Sequence, residues 1–217
     1  MHIPINELIL GSENQEKLKL ILLKAEEAFS TWEAIWSKFI SAPLTEEVLG
    51  KIIKLDDIQY FTSGGYPSAE RQRICFARNS GKVSLEDINI PIKGIRLEGN
   101  FLFERAEKSD FKYSLNKLQI PSDEIGEILL TRDRGAQILC TPETSRKLTG
   151  KKIVVRGVEV NCEALEIHQL NLPSSRLAKK IKSVEASTRL DAIASAGFGL
   201  SRSKIVKHIK EGRLRVN

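Results

Sequence analysis

Apolar positions in the first quarter of the chain recur with the period of helices. After Gly11-Ser12, the residues Leu18, Ile21, Leu22, Ala25 and Phe29 fall at i, i+3, i+4, i+7 and i+11, the stripe of an amphipathic helix. Ser30 with Glu33 three places on forms a capping box. Trp32, Ile35, Trp36, Phe39 and Ile40 then make the apolar face of a second helix that Ala42-Pro43 ends. Both tryptophans are read as core rather than as a base-stacking platform, because aromatic residues at helical spacing mostly point inward. Thr45 caps a short third helix with Val48, Leu49, Ile52 and Ile53 inward. Residues 1–56 are therefore expected to form a small helical bundle.

From Asp57 the period shortens. Ile58 to Thr62 reads as a strand, Ser63-Gly64-Gly65-Tyr66-Pro67 as a turn and Arg71 to Arg78 as a second strand. Ile88, Ile90 and Ile92 alternate, and Ile95 and Leu97 continue after a shift at Lys93-Gly94, which predicts one strand bent near the glycine. A helix follows from Ser109 with Phe111, Leu115 and Leu118 on one face. Strands at Ile125–Leu130 and Ala136–Cys140 are joined by the turn Arg132-Asp133-Arg134-Gly135. Pro142 opens a short helix ending at Gly150, and Ile153 to Val160 supplies the last strand. The order β-α-β-β-α-β is that of a ferredoxin-like (RRM-like) domain over 57–172, so the fold class is α+β. Its central strands hold no Phe, Tyr or Trp, so single-stranded RNA has no stacking platform there; any RNA contact of this domain is expected through phosphates and shape.

Leu172-Pro173-Ser174-Ser175 marks a boundary, 173–186 a basic linker, and 187–217 a last module. Ser187 or Thr188 caps a helix with Leu190, Ile193, Ala194 and Gly197 inward, ended by Gly197 and Gly199. Leu200 and Ile205 then staple a second helix that starts at Ser201, buries Ile205, Val206 and Ile209 and stops at Gly212. Charge sharpens this picture. The chain has 34 Lys+Arg against 28 Asp+Glu, a net +6, yet Arg176 to Asn217 alone holds 11 basic and 3 acidic residues. The preceding 175 residues are thus net −2, and the tail has the footprint of something that meets polyphosphate.

The 217 residues suffice for several small modules, and 41% hydrophobic with 29% charged residues exclude a fibrous or wholly disordered chain. No apolar run reaches the roughly 18 residues of a membrane span. Met1-His2-Ile3-Pro4 lacks the features of a secretory signal, so a cytoplasmic location is expected. Cys75, Cys140 and Cys162 form no CxxC pattern and are expected to be free buried thiols, with no metal site.

Thr188-Arg189-Leu190-Asp191, Ser201-Arg202-Ser203-Lys204 and Ile209-Lys210-Glu211-Gly212-Arg213-Leu214-Arg215-Val216-Asn217 together resemble the α-L RNA-binding motif, the S-four domain named for a small-subunit ribosomal protein. The resemblance covers 31 residues, and in that family further strands follow the Val-Asn pair; the module is expected to be truncated, with Leu214 and Val216 poorly covered. It implies RNA contacts by Arg189, Ser201, Arg202, Ser203, Lys204, Lys207, His208, Lys210, Arg213, Arg215 and Asn217. A broader resemblance rests on Gly64-Gly65-Tyr66-Pro67-Ser68-Ala69-Glu70-Arg71-Gln72-Arg73, Ser109-Asp110-Phe111, Ile125-Gly126-Glu127-Ile128 and Asp133-Arg134-Gly135-Ala136-Gln137. These look like the YlmH-type proteins, closest to their cyanobacterial and plastid branch, the photosystem II S-four domain proteins. That resemblance implies a ribosome-associated binder of rRNA or tRNA on the large subunit, acting in translation or in rescue of stalled nascent chains. At one string this chain departs from bacterial relatives: Glu107-Lys108 stands where their His-Arg-Asp-Phe-Leu-Gly-like sequence begins.

Tyr66, Arg71 and Arg73 admit two readings, a second RNA contact or a packed hairpin turn. Arg189-Leu190-Asp191 resembles the catalytic string of a pseudouridine synthase, but Ala192-Ile193-Ala194 follow it and it opens a helix of the RNA module. No GxSxG, P-loop, GxGxxG after a strand, or HExxH occurs, and Cys162 with His168 reads as a structural thiol and imidazole. The expectation is a non-enzymatic RNA binder with no cofactor, no small-molecule substrate and no membrane insertion. The alternatives are an RNA-modifying enzyme, of pseudouridine synthase or methyltransferase type, with its site in the central domain, and a scaffold for an acidic protein or membrane surface.

Overall fold

In the computed structural model, which describes residues 3–79, 88–173, 181–185, 187–210 and 214, the short α1 (Ile5–Leu8) leads into α2 (Gln15–Thr31). The stripe read from the sequence is the buried face of α2, with Leu18, Leu22 and Ala25 sealed from solvent. The second helix of the expected bundle does not form. Trp32 closes α2 in a left-handed conformation (φ 64°), and the chain then runs extended as β1 (Ile35–Trp36), paired antiparallel with β3 (Arg73–Arg78). Trp, Ile and Phe favour strands as much as helices, and the free edge of β3 offers backbone partners that decide between the two: Ser37 donates its N–H to the Ile74 carbonyl (2.7 Å) and its Oγ accepts from Ile74 N–H (2.8 Å). Trp32, assigned to the core from sequence, is 47% exposed and lies against the Arg78 guanidinium (3.9 Å).

Pro43 opens rather than ends a helix, because a proline in the first turn lacks only an N–H that has no helical partner. Thus α3 (Ala42–Ile52) starts after Ser41, and Thr45, expected as its cap, sits inside it with its hydroxyl donating to the Ser41 carbonyl (3.1 Å). The hairpin β2 (Ile58–Ser63) with β3 completes a three-stranded sheet ordered β1-β3-β2. Ile58, Ile74 and Phe76 pack with Leu18, Leu22 and Val48 in one core. The first structural layer is therefore helices on a small sheet, and the hairpin expected to open the central domain belongs to it.

The central part holds β4 (Lys93–Glu98), α4 (Lys108–Lys117), β5 (Ile125–Leu130), β6 (Gly135–Cys140), α5 (Pro142–Leu148), β7 (Lys152–Val155) and β8 (Val158–Leu165). The sheet order β5-β6-β4-β8-β7, antiparallel throughout, is the ferredoxin-like 2-3-1-4 order with one added edge strand. The strand expected over Ile153–Val160 is two strands, turned at Arg156-Gly157, both with positive φ. The bend expected near Gly94 is absent: β4 begins only at Lys93, and Gly94 serves close approach, since a Cβ there would lie 2.9 Å from the Leu165 carbonyl oxygen and from the Leu170 side chain.

α4 and α5 cover one face of this sheet over Ile95, Leu97, Ile138 and Val160. Phe39, Ile92, Leu139, Leu165 and Leu170 form a smaller core. Arg96 and Glu163 (3.1 Å) and Lys152 and Glu159 (2.7 Å) pair across strands. Residues Met1–Ser175 make one compact unit; Arg176–Asn217 makes a second, containing α6 (Leu190–Phe198) and α7 (Arg202–Lys210). The linker stretch 174–180 lies outside the described residues.

Gly135 begins β6 at φ 114°, ψ −125°, and a Cβ there would overlap the Leu97 carbonyl oxygen. Only glycine enters that backbone region cheaply. Gly135→Ala is expected to cost about 3 kcal/mol, and a domain of this size loses roughly 2–4 °C of Tm per kcal/mol. An unchanged melting temperature would show that β4 and β6 can separate at this end.

Candidate nucleic-acid interface

The second unit is a helix-turn-helix whose charge is sorted by its periodicity. Ser187 Oγ accepts the Arg189 N–H (3.2 Å) and Arg189 is the N-cap of α6; Gly199 (φ 63°) ends it in a left-handed turn. Ser195 locks that corner, its Oγ donating to the Leu200 carbonyl (2.6 Å). The buried residues of α6 are Ala192 and Ala194, whereas Leu190 and Ile193, expected inward, are 37% and 49% exposed. In α7, Ile205 is buried and Ile209 half-buried, while Val206, also expected inward, is exposed.

Arg202, Ser203, Lys204, Lys207 and Lys210 are all exposed, and His208 is half-buried. Ser203, Lys207 and Lys210 recur at i, i+4 and i+7 opposite Ile205, so one line of the helix is exposed and basic. Among the described residues Arg202, Lys204 and Lys210 have no ion-pair partner. Ser201 is exposed at the N-terminus of α7, its Oγ 3.2 Å from Ser203 Oγ. Arg189 is also exposed, but its guanidinium rests on Asp191 (3.0 Å), which holds that carboxyl below its ordinary range with help from the nearby Arg202. Arg213, Arg215 and Asn217 lie outside the described residues.

The second candidate group is built differently. Arg71 donates Nε to the Ile125 carbonyl (3.0 Å) and Nη2 to those of Phe39 (3.2 Å) and Ser122 (2.9 Å). Arg73, 8% exposed, donates to the carbonyls of Ser37 (2.7 Å) and Pro91 (2.5 Å), its guanidinium 5.8 Å from the Trp36 ring centroid and 5.9 Å from that of Phe39. Burial pulls both guanidinium pKa values down, and Asp123 and Glu127 push that of Arg71 back up. Tyr66 donates its hydroxyl to one Glu127 oxygen, and the other accepts the Glu70 N–H. Of the two readings of Tyr66, Arg71 and Arg73, this geometry favours the structural one: Tyr66 and Arg71 clamp the first hairpin to β5, and Arg73 ties β3 to Ser37 and Pro91.

The cysteines are free, and burial pushes the thiols of Cys75, Cys140 and Cys162 up to about 11, 12 and 11. Cys162 faces the core while His168 is exposed, so the two do not form a thiolate–imidazole pair. Among the described residues no cluster of His, Cys, Asp or Glu suits a metal, and no helix is long and apolar enough to cross a membrane. Sequence reasoning singled out none of a further basic group on α4 and the β7–β8 hairpin, for which the signal was Tyr113 and Lys117 four residues apart.

The family described as YlmH, N-terminal, matches residues 13–80, a span that runs from α2 through β3 and so coincides with the first core. The fold is similar to that of the cell division protein YlmH from Streptococcus pneumoniae, with a TM-score of 0.56, 16% identity, and coverage of 73% of this chain and 94% of that one. The chain is YlmH-like. No curated protein matches its sequence. In this YlmH-like chain the strings Gly64–Arg73 and Ile125–Ile128, quoted above for the resemblance, are the two sides of the clamp.

Arg73→Lys keeps the charge and loses the forked donor, so a loss of about 2 kcal/mol in urea unfolding is expected, with any RNA-binding salt dependence unchanged. A reduced salt slope at full stability would return Arg73 to the interface. The raised thiol pKa values favour the folded state below pH 9 and lose that contribution as pH rises toward 11 to 12. The native thiols should resist an aromatic disulfide reagent at pH 8 and all three should react after unfolding; rapid native labelling would contradict their burial.

Proposed function

We propose that this protein is a non-catalytic binder of structured RNA, rRNA or tRNA on the large ribosomal subunit, working in translation or in rescue of stalled large subunits. The observation that carries this reading is α7: Arg202, Lys204, Lys207 and Lys210 are all exposed on a helix that Ile205 anchors to the module. Such a surface pairs with phosphates and reads little sequence. The α-L resemblance of Thr188–Asp191 and Ser201–Lys204 supports the same assignment, and a cytoplasmic location goes with it. Within the central domain, the five strands of the sheet contain no aromatic residue, and Glu98, Glu159 and Glu163 accompany Lys152 and Arg96 there, so the RRM mode of base stacking on the sheet has no support.

The test is affinity for tRNA and for large-subunit rRNA across a salt series. Arg202→Ala with Lys207→Ala should weaken binding and flatten log K against log salt by roughly 0.9 per lost phosphate contact. An unchanged slope would remove α7 from the interface, and turnover of a modified base by the wild-type chain would replace this reading with an enzymatic one.

A further inference from the structure

The unit Met1–Ser175 is net −2, but its charge is not evenly spread. Lys108–Lys117 and residues 151–159 together hold six basic and two acidic residues, which leaves net −6 for the rest of that unit. The fold brings these two segments side by side. α4 buries Phe111, Ser114 and Leu115, so Tyr113 and Lys117, four apart, stand on its outer side. Among the described residues β7 is the last strand of the sheet, with no strand on its far edge. Between α4 and that edge lies an open cavity of about 540 Å³ lined by Tyr113, Lys117, Leu118, Lys152, Val154 and Arg156.

The exposed groups of this cavity are available to a ligand. Tyr113 is 63% exposed, and Lys117 Nζ lies 4.7 Å from its ring centroid. Leu118 and Val154 are 43% and 62% exposed, apolar surface that the free protein leaves in water. Arg156 meets Asp110 only at 3.7 Å, and the Lys152–Glu159 pair is solvent-exposed on both sides, so a phosphate can compete for either cation. Cations set around an exposed aromatic ring and a small apolar floor match a planar base with an attached phosphate. An acidic peptide would use the cations and leave the ring and the apolar floor without a partner.

We infer that the α4–β7 cavity is a nucleotide site, with the base against Tyr113, Leu118 and Val154 and the phosphate on Lys117, Lys152 and Arg156. The nucleotide comes either from an unpaired position of the RNA, which rests on the function proposed above, or from a free mononucleotide. The site lies within the first unit, at the β7 end of its larger sheet.

Three probes on the full chain separate these cases: an RNA hairpin with an unpaired loop, a blunt RNA duplex, and fluorescently labelled adenosine 5′-monophosphate. If the nucleotide belongs to RNA, Tyr113→Ala should weaken hairpin binding about tenfold, spare the duplex, and be rescued by Tyr113→Phe. Lys117→Gln with Arg156→Gln should then lower the hairpin salt slope by roughly 0.7 per lost contact. If it is free, labelled adenosine monophosphate should bind the wild type and be lost in Tyr113→Ala. Hairpin and mononucleotide binding both unchanged in Tyr113→Ala would overturn the inference. The Arg202→Ala, Lys207→Ala double variant, measured beside it, reads the α7 assignment independently. Unaltered melting temperatures for the Tyr113 variants confirm that the comparison is between folded proteins.

Discussion

Two guanidinium groups hold the first unit together. Arg71 and Arg73 sit two residues apart at the start of β3 and donate to the main-chain carbonyls of Ser37, Phe39, Pro91, Ser122 and Ile125. A buried carbonyl left without a donor costs about 1–3 kcal/mol. A planar fork with five donors satisfies several at once, which a lysine cannot do. Glu127 closes the other side by accepting from Tyr66 and from the Glu70 backbone. The small sheet and the ferredoxin-like sheet are thereby joined through polar contacts around the Phe39 core.

That constraint has a functional consequence. Arginines that satisfy internal carbonyls are not free for phosphate, so the hairpin is a joint and the exposed basic surfaces lie elsewhere. On α7, Lys207 and Lys210 lie opposite the buried Ile205, and Arg202 and Lys204 are exposed on its flanks. On the first unit cations gather where α4 flanks the outer edge of β7, in an otherwise acidic body. The two surfaces differ in what they offer: α7 presents exposed point charges, whereas the cavity adds an aromatic ring and apolar floor. Affinity from phosphates and selection of an unpaired nucleotide are separable in such a protein.

Much of this was legible from residue order. The α2 stripe, the α4, β5, β6 and α5 segments, and the α6–α7 pair with its charge all stand close to where periodicity and capping residues put them, because each is specified by contacts within a few residues. The errors cluster where a segment's fate depends on a distant partner. Residues 33–40 carry an apolar pattern that suits a helix, and the edge of β3 converts them to a strand. Gly94 reads as a kink from sequence and is a contact point for Leu165 and Leu170, some seventy residues on.

The candidate residues divide the same way. The basic character of Arg202, Lys204, Lys207 and Lys210 follows from sequence alone, since helical spacing sets Ile205 inward, although it also set Val206 inward, which the structure exposes. Arg71 and Arg73 look equally available in the sequence; only the tertiary structure, by supplying carbonyls from segments about 18 to 54 residues away, turns them inward. The α4–β7 cavity is likewise invisible in either segment, because its walls are set by strand order. Local periodicity determines what each element is and which side faces water; long-range backbone hydrogen bonding decides which polar side chains are left for a ligand.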